Sequence, residues 1–171
     1  MKKILLLAVF AVAAFTVSAQ TEGKGKTRFS IGLEAGLPVG DAGDFYSSIL
    51  GGSVKAEIPV ASSLFATISG GYTSLSPKKE WKDLGVESAG IVPLKAGLKY
   101  FFTKNIYGAG EIGAAVGTEK GAETLFAWTP GIGISYPVSD KNDVDFGVRY
   151  ESWSKDGNSI DQIGFRIALK F

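Results

Sequence analysis

The sequence predicts an all-β fold, an eight-stranded antiparallel up-and-down transmembrane β-barrel preceded by a cleavable signal peptide. Three observations predict it: an apolar leader, a recurring alternation of apolar and polar residues, and connections that alternate in length. With 171 residues, 45% of them apolar, the chain can form one folded domain. We expect a signal peptide at residues 1–19, a flexible periplasmic lead-in at 20–26 and a barrel domain at 27–171.

The leader has the pattern of a bacterial export signal. Two lysines precede twelve apolar residues at 4–15, and small residues end the segment at Ala19. Twelve apolar residues are fewer than the ~20 that a membrane-spanning helix needs. We therefore predict cleavage between Ala19 and Gln20 and export from the cytoplasm.

The composition excludes several classes of function. Of the 18 basic residues, Lys2 and Lys3 lie in the leader, which leaves 16 basic against 17 acidic residues. This balance gives no basic surface for nucleic acid. The sequence has no cysteine and no histidine, so it has neither a thiolate nor the usual base for catalysis near neutral pH.

Eight segments show the period of two that is typical of β-strands, in which alternate side chains face opposite sides. In the first segment, for example, Ile31 and Leu33 alternate with Gly32 and Glu34. Because proline cannot donate to the hydrogen-bond ladder, we expect a bulge or a displaced segment near Pro93. The predicted strands are residues 27–37, 53–60, 64–73, 89–102, 106–117, 124–138, 143–153 and 160–171.

The connections between the strands indicate an up-and-down topology. Longer connections at 38–51 and 74–88 alternate with short ones at 60–63, 103–105 and 139–142. If the amino terminus is periplasmic, the odd connections face outward and the short even turns face the periplasm. Our candidates for contact with a surface ligand lie in the two long outward loops: Phe45, Tyr46, Ile49, Leu50, Lys78, Lys79, Glu80, Trp81, Lys82 and Asp83.

Alternation alone does not tell which face of a barrel points inward. A membrane barrel is apolar outside, whereas a lipocalin-like barrel is apolar inside. The charged face is also rich in glycine, alanine and serine, which suits a narrow interior better than an open surface. We therefore predict an interior charge network formed by Glu34, Lys55, Glu57, Lys95, Lys99, Glu111, Arg149, Glu151, Arg166 and Lys170.

Aromatic residues near the strand ends support the membrane interpretation, because membrane barrels carry aromatic girdles at both headgroup levels. The predicted outward girdle is Tyr72, Trp128, Tyr150 and Trp153, and the predicted periplasmic girdle is Phe29, Tyr100, Phe102, Tyr136 and Phe171.

Residues 91–102, the glycine-rich fifth and sixth strands and the terminal segment 165–171 carry a resemblance to a known family. The mature chain resembles the small outer-membrane β-barrels of Bacteroidota, which are similar in architecture to OmpX and the OmpA membrane domain. The resemblance implies a monomer in outer-membrane lipid of a Gram-negative cell, inserted by the barrel-assembly machinery. It also implies that Ile167, Leu169 and the terminal Phe171 form the assembly signal.

Three patterns that suggest chemistry have simpler interpretations. The glycine spacing at 108–113 matches a dinucleotide-binding motif but lies inside a strand with no helix after it. The acidic segment 140–151 resembles a calcium loop but has Asp145 where that loop needs glycine. Lys95 and Glu111 offer an acid and a base, but mixed charges inside small barrels usually neutralise one another. We expect no cofactor and no metal.

The sequence favours a non-enzymatic integral outer-membrane barrel with a structural or surface-interaction role. The alternative is a soluble or periplasmic lipocalin-like barrel that binds a small hydrophobic ligand. A narrow, porin-like channel and a lipid-modifying enzyme are less favoured, because eight strands leave an interior that side chains fill, and histidine is absent.

Deletion of Phe171 is expected to slow insertion of the barrel, because the resemblance assigns this residue to the assembly signal. The measurement is the rate at which heat-modifiable protein accumulates in the outer-membrane fraction after a pulse of synthesis. Phe102→Ala removes an aromatic residue of the same predicted girdle away from the terminus and serves as the control. Unchanged insertion after the deletion would contradict the assignment.

Overall fold

Eight antiparallel strands close into a barrel in the computed structural model, which describes residues 26–119 and 121–171. The predicted signal peptide, its cleavage site and residues 20–25 of the lead-in lie outside the described residues. The strands are β1 (Arg28–Val39), β2 (Tyr46–Ala61), β3 (Leu64–Pro77), β4 (Ala89–Phe101), β5 (Ile106–Gly117), β6 (Thr124–Pro137), β7 (Asp143–Lys155) and β8 (Asn158–Lys170). Two short helices, α1 (Ala42–Phe45) and α2 (Lys79–Asp83), lie in the first and third connections.

The barrel follows the order of the chain. Each strand pairs with its neighbours in sequence, and β8 closes the sheet by pairing with β1 from Ser30 opposite Lys170 to Val39 opposite Asp161. Closure pairs the edges that an open sheet would expose, which a β-structure needs in hydrocarbon. The predicted all-β, eight-stranded, up-and-down barrel is therefore confirmed. Over the described residues, no helix is long and apolar enough to cross a membrane.

The two ends of the barrel differ. The connections at 40–45, 78–88, 118–123 and 156–157 lie at one end, which we call the loop end. The connections at 62–63, 102–105 and 138–142 lie at the other, which we call the turn end. The tightest loop-end connection is formed by Asp156 and Gly157, which both have positive φ, of 50° and 85°. Such a pair suits a two-residue hairpin because its backbone twist matches the twist of the flanking strands.

The first loop is shorter than the sequence predicted. β1 extends to Val39 and β2 begins at Tyr46, so the long loop expected at 38–51 is reduced to residues 40–45. The serines and glycines at the start of β2 have weak strand propensity, so the sequence did not indicate that β2 begins at Tyr46. Pairing of Ile49 with Gly36 on one side and Leu75 on the other overrides that propensity.

Neither a bulge nor a displacement occurs at Pro93, contrary to the prediction. Pro93 lies within β4 and pairs with Ala115 of β5. On the β3 side the pairing is interrupted only between Gly70 and Thr73, and the register is the same on both sides of the gap. The missing proline N–H therefore costs ladder bonds locally without shifting the strand. A similar gap without a register shift surrounds Pro130 between β6 and β7.

The apolar face of the sheet points outward. Ile31, Ile112 and Ile167 have 59%, 61% and 54% of their surface exposed, whereas Glu111 and Arg166 of the opposite face are each 5% exposed. This arrangement agrees with a membrane barrel and is incompatible with the lipocalin-like alternative, which needs an apolar interior.

Trp153 is not part of the outward girdle, and this prediction was wrong. It is 1% exposed and lies inside the barrel at the loop end. Its position has the same parity as Arg149 and Glu151 on β7, and alternation places all three on the inner face. There it belongs to an apolar cluster that we call the plug, formed by Ile49, Leu75, Ile91, Ala115, Ala127 and Trp153.

Ile112→Arg is expected to destabilise the barrel by ~2 to 4 kcal/mol, because the side chain lies midway along β5 on the apolar outer face. The measurement is urea unfolding in lipid vesicles. Leu84→Arg is the matched control, since Leu84 is 76% exposed in the third connection, outside the strands. Equal stability of the two variants would count against a lipid contact at Ile112.

Candidate functional site

The middle of the barrel is held together by charges centred on Glu151. Arg149 donates through Nε to Glu151 at 2.9 Å and through Nη2 to Glu34 at 2.6 Å. Lys95 of β4 binds the other Glu151 oxygen, to which the Trp153 indole N–H donates at 3.1 Å. Glu151 is 1% exposed. This single carboxylate therefore connects β4 with β7, and through Arg149 it connects both with β1.

A second group of charges fills the turn end. Lys99 donates to Glu57 and to Asp145 at 2.7 Å each, and the Tyr107 hydroxyl donates to Asp145 at 2.7 Å. The Lys99 ammonium also lies 3.7 Å from the centroid of the Tyr107 ring, where it gains a cation–π interaction. Lys170 donates to Ser135 at 2.6 Å. The contacts of Lys99 and Asp145 thus connect β2, β4, β5 and β7, and Lys170 connects β8 with β6.

Two further sets of interactions extend the charged interior. Lys55 pairs with Glu111 at 3.0 Å, and Arg166 donates to Ser53 at 2.9 Å. Ser53 in turn donates to Glu34 at 2.5 Å. The structure thus places all ten residues of the predicted interior network inside the barrel, where each is buried or nearly so.

The interior network is larger than the sequence analysis proposed. Asp145 was omitted although it has the same parity on β7 as Arg149 and Glu151. Asp143 was also omitted; it pairs with Lys170 at 3.0 Å and with Arg28 at 2.6 Å near the turn end. Alternation along β7 was the signal that would have identified both residues.

The interior leaves little free space. Its charged part retains a cavity of about 40 Å³ lined by Lys55, Tyr107 and Glu111 among others, which holds a few water molecules at most. Above it the plug fills the loop end with apolar side chains. Eight strands enclose an interior that side chains can fill, and here they do so.

The patterns that suggested chemistry have structural roles. Lys95 and Glu111 bind different partners, Glu151 and Lys55, and do not act as an acid–base pair with each other. Asp143 and Asp145 of the calcium-like segment are engaged in ion pairs with basic side chains. The glycines at 108–113 lie within β5.

A cleft of about 570 Å³ opens at the loop end. Phe45 of α1 and Trp81 of α2 pack with ring centroids 5.1 Å apart at 35°. Trp81 donates its indole N–H to the Asp44 carbonyl at 3.3 Å, and the Lys78 N–H donates to the Phe45 carbonyl at 2.8 Å. These bonds fix the first and third connections against each other. The cleft is lined by Asp41, Ala42, Phe45, Tyr46, Pro77, Trp81, Val86, Gly157, Asn158, Ser159 and Ile160.

The predicted loop candidates divide into three groups. Phe45, Tyr46 and Trp81 line the cleft. Ile49 and Leu50 are strand residues rather than loop residues: Ile49 is buried in the plug, and Leu50 lies on the outer face of β2. The remaining candidates, Lys78, Lys79, Glu80, Lys82 and Asp83, lie on or next to α2 and do not line the cleft.

Asp41, Val86 and the hairpin from Gly157 to Ile160 form a part of the cleft that the sequence did not indicate. The Asp-Gly pair at 156–157 was a usable signal for the hairpin. No local pattern indicated that three connections, far apart in the chain, meet around one cleft.

Solved structures of bacterial surface proteins are similar in fold to this chain. The crystal structure of Ail, the attachment invasion locus protein of Yersinia pestis, is similar with a TM-score of 0.58 and 16% identity, over 86% of this chain and 99% of that one. Neisserial surface protein A is similar with a TM-score of 0.55 and 17% identity, over 87% and 97% of the chains. The chain has the fold of a small outer-membrane β-barrel.

A third similar structure is Ail in complex with the heparin analogue sucrose octasulfate, with a TM-score of 0.55 and 14% identity over 85% of this chain and 97% of that one. Ail is also described as an outer membrane protein. No family model and no curated protein matches the sequence. The shared fold and the apolar outer face together support the predicted location in the outer membrane.

Glu151→Ala is expected to destabilise the barrel by ~3 to 5 kcal/mol, because it leaves Lys95 and Arg149 buried without their shared carboxylate. The measurement is the free energy of unfolding in lipid vesicles.

The matched control is Glu123→Ala, which removes a carboxylate 2.7 Å from Lys155 in an exposed pair. It is expected to cost at most ~1 kcal/mol. Similar losses for the two variants would show that the Glu151 contacts do not support the interior.

Proposed function

We propose that this chain is a non-enzymatic integral outer-membrane barrel that serves as a rigid anchor and meets its surroundings through its loop end. The observation that carries the proposal is the filled interior, in which ion pairs occupy the middle and the turn end while the plug closes the loop end. A barrel filled in this way offers its loops, rather than its lumen, for contact with other molecules.

The interior argues against the two less favoured functions. A diffusion channel needs a continuous path, and the cavity of about 40 Å³ in the charged interior is too small to provide one. An enzyme needs a group free to exchange a proton with substrate, whereas Glu151, Lys95 and Lys99 are buried and bound to opposite charges. The sequence also has no histidine to act as a base.

Several features of biogenesis belong to the proposal. The segment 1–19 directs export and is removed between Ala19 and Gln20, as its pattern indicates. The terminal strand, through Ile167, Leu169 and Phe171, is recognised by the barrel-assembly machinery. Phe171 and Phe29 exchange backbone hydrogen bonds of 2.9 and 3.0 Å, which supports a role for Phe171 where β8 closes the barrel against β1.

The mature protein is a monomer in contact with outer-membrane lipid, and its affiliation with the Bacteroidota barrels stays a prediction.

A surface ligand is proposed to bind at the loop end. The structure of Ail with sucrose octasulfate supports ligand binding by an outer-membrane barrel of this fold. In the present chain we assign this ligand to the cleft between α1, α2 and the β7–β8 hairpin.

Cysteine labelling tests this orientation, since the chain has no cysteine of its own and gives no background. Leu84→Cys places a thiol in the third connection at the loop end, and Lys104→Cys places one in the turn between β4 and β5. A membrane-impermeant maleimide is expected to label Leu84→Cys on intact cells and Lys104→Cys only after permeabilisation. Labelling of Lys104→Cys on intact cells, with Leu84→Cys labelled only after permeabilisation, would contradict surface contact through the loop end.

A further inference from the structure

We infer that the cleft at the loop end binds a neutral saccharide. The inference deepens the proposed function and rests on it, because a surface ligand reaches the cleft only if the loop end faces the exterior. Three properties of the cleft support it: a preformed aromatic platform, a polar rim that accepts hydrogen bonds, and a volume suited to an oligosaccharide.

The platform consists of Phe45 and Trp81, whose rings pack at 5.1 Å. Phe45 keeps 48% of its surface exposed although a neighbouring ring and a backbone bond hold it in place. The Trp81 indole N–H is already bound to the Asp44 carbonyl, so this ring offers a ligand only the apolar surface that Phe45 leaves uncovered. Flat, fixed aromatic faces suit the C–H face of a sugar ring and lose little entropy on binding.

The polar part of the lining, which we call the rim, consists of Asp41 next to α1 and of Asn158 and Ser159 at the start of β8. Asp41 is the N-terminal capping residue of α1, yet its carboxylate makes no capping hydrogen bond and is exposed. The Ser159 hydroxyl donates to Asp161 at 2.8 Å, which leaves its oxygen as an acceptor. An ionised carboxylate accepts hydrogen bonds and donates none. This rim therefore favours a ligand rich in donors, as sugar hydroxyls are.

The charge of the cleft argues against an anionic ligand. No lysine or arginine is among the described residues that line it, and Asp41 repels sulfate or phosphate. A small cation fits the charge of Asp41 but would leave most of the volume empty. The volume of about 570 Å³ lies within the ~300 to 1,000 Å³ of typical ligand pockets and accommodates a disaccharide.

The experiment measures binding by isothermal titration to the full mature chain in phospholipid nanodiscs. The probes are maltose and cellobiose as neutral saccharides, sucrose octasulfate as an anion and tetramethylammonium as a cation. The expected result is saturable binding of at least one neutral disaccharide that is insensitive to salt, because no ion pair forms. Binding of sucrose octasulfate alone, or of tetramethylammonium alone, would overturn the inference.

Variants locate the binding site. Trp81→Ala and Asp41→Ala are each expected to weaken disaccharide binding by about tenfold or more, since each removes a direct contact. Trp128→Ala is the control, because Trp128 is an outer-face tryptophan of β6 that does not line the cleft. Heat-modifiable migration checks that every variant is folded. Equal weakening by Trp128→Ala would place binding elsewhere and contradict the assignment.

Asp41→Asn separates a saccharide from a cation. The amide still accepts a hydrogen bond from a hydroxyl but no longer attracts a positive charge. Disaccharide binding is therefore expected to persist, within about threefold, since one neutral hydrogen bond replaces one charged bond. Complete loss of disaccharide binding in Asp41→Asn would indicate that charge, not hydroxyl recognition, governs the cleft.

Two sources of a neutral saccharide are distinguished by the lipid used. Nanodiscs that contain lipopolysaccharide with a neutral O-chain will compete with added disaccharide if the cleft binds the cell's own glycan. If the added disaccharide binds with equal affinity to nanodiscs with and without the O-chain, the cleft does not bind the cell's own O-chain and its saccharide comes from outside the cell. If Leu84→Cys is labelled on intact cells but no neutral disaccharide binds, the saccharide inference fails while the surface-contact proposal stands.

Discussion

The structure depends on the ion pairs that cross the barrel axis around Glu151 and Lys99. A sheet in hydrocarbon must close so that its backbone groups are paired, and alternation then sends every second side chain into a narrow lumen. Charges in that lumen are stable only when opposite charges and hydrogen-bond donors surround them. Seven basic and six acidic side chains meet this requirement by pairing with one another: Arg28, Lys55, Lys95, Lys99, Arg149, Arg166 and Lys170 with Glu34, Glu57, Glu111, Asp143, Asp145 and Glu151.

Most of these pairs join residues that are distant in sequence and therefore bear on the register of the barrel. Glu34 of β1 reaches Arg149 of β7, and Lys95 of β4 reaches Glu151 of β7. A shift of one residue in any strand would turn its charged face toward lipid and its apolar face toward charge. Buried ion pairs contribute little net stability compared with apolar packing, but breaking one is costly. Such a network disfavours wrong registers, and the same side chains fill the lumen and leave a cavity of about 40 Å³.

Much of this was predictable from the sequence, because the period of two is a local property. Alternation located the strands, their faces and the charged interior, including Glu34, Glu111 and Arg166. Trp153 was assigned wrongly to the outward girdle because its position near the end of β7 was given more weight than its parity, which places it on the inner face. The extension of β2 across Ser47, Ser48 and the following glycines was missed because tertiary pairing overrides weak strand propensity. The cleft was beyond sequence reasoning, since it exists only where closure brings residues 41–46, 77–86 and 157–160 together.

The plug connects the sealed interior with the cleft above it. Tyr46 and Ile160 pack against the plug and also line the cleft, so these two residues form a floor that separates the cleft from the apolar cluster. Trp153 joins this cluster to the charges below, because its ring lies in the plug while its indole N–H donates to Glu151. A continuous set of packed and hydrogen-bonded side chains therefore runs from the ion pairs to the floor of the cleft. Because packed residues have already lost much of their conformational freedom, a cleft supported in this way lowers the ordering cost of the binding that we propose there. The charged interior, the plug and the floor of the cleft are accordingly parts of one packed unit.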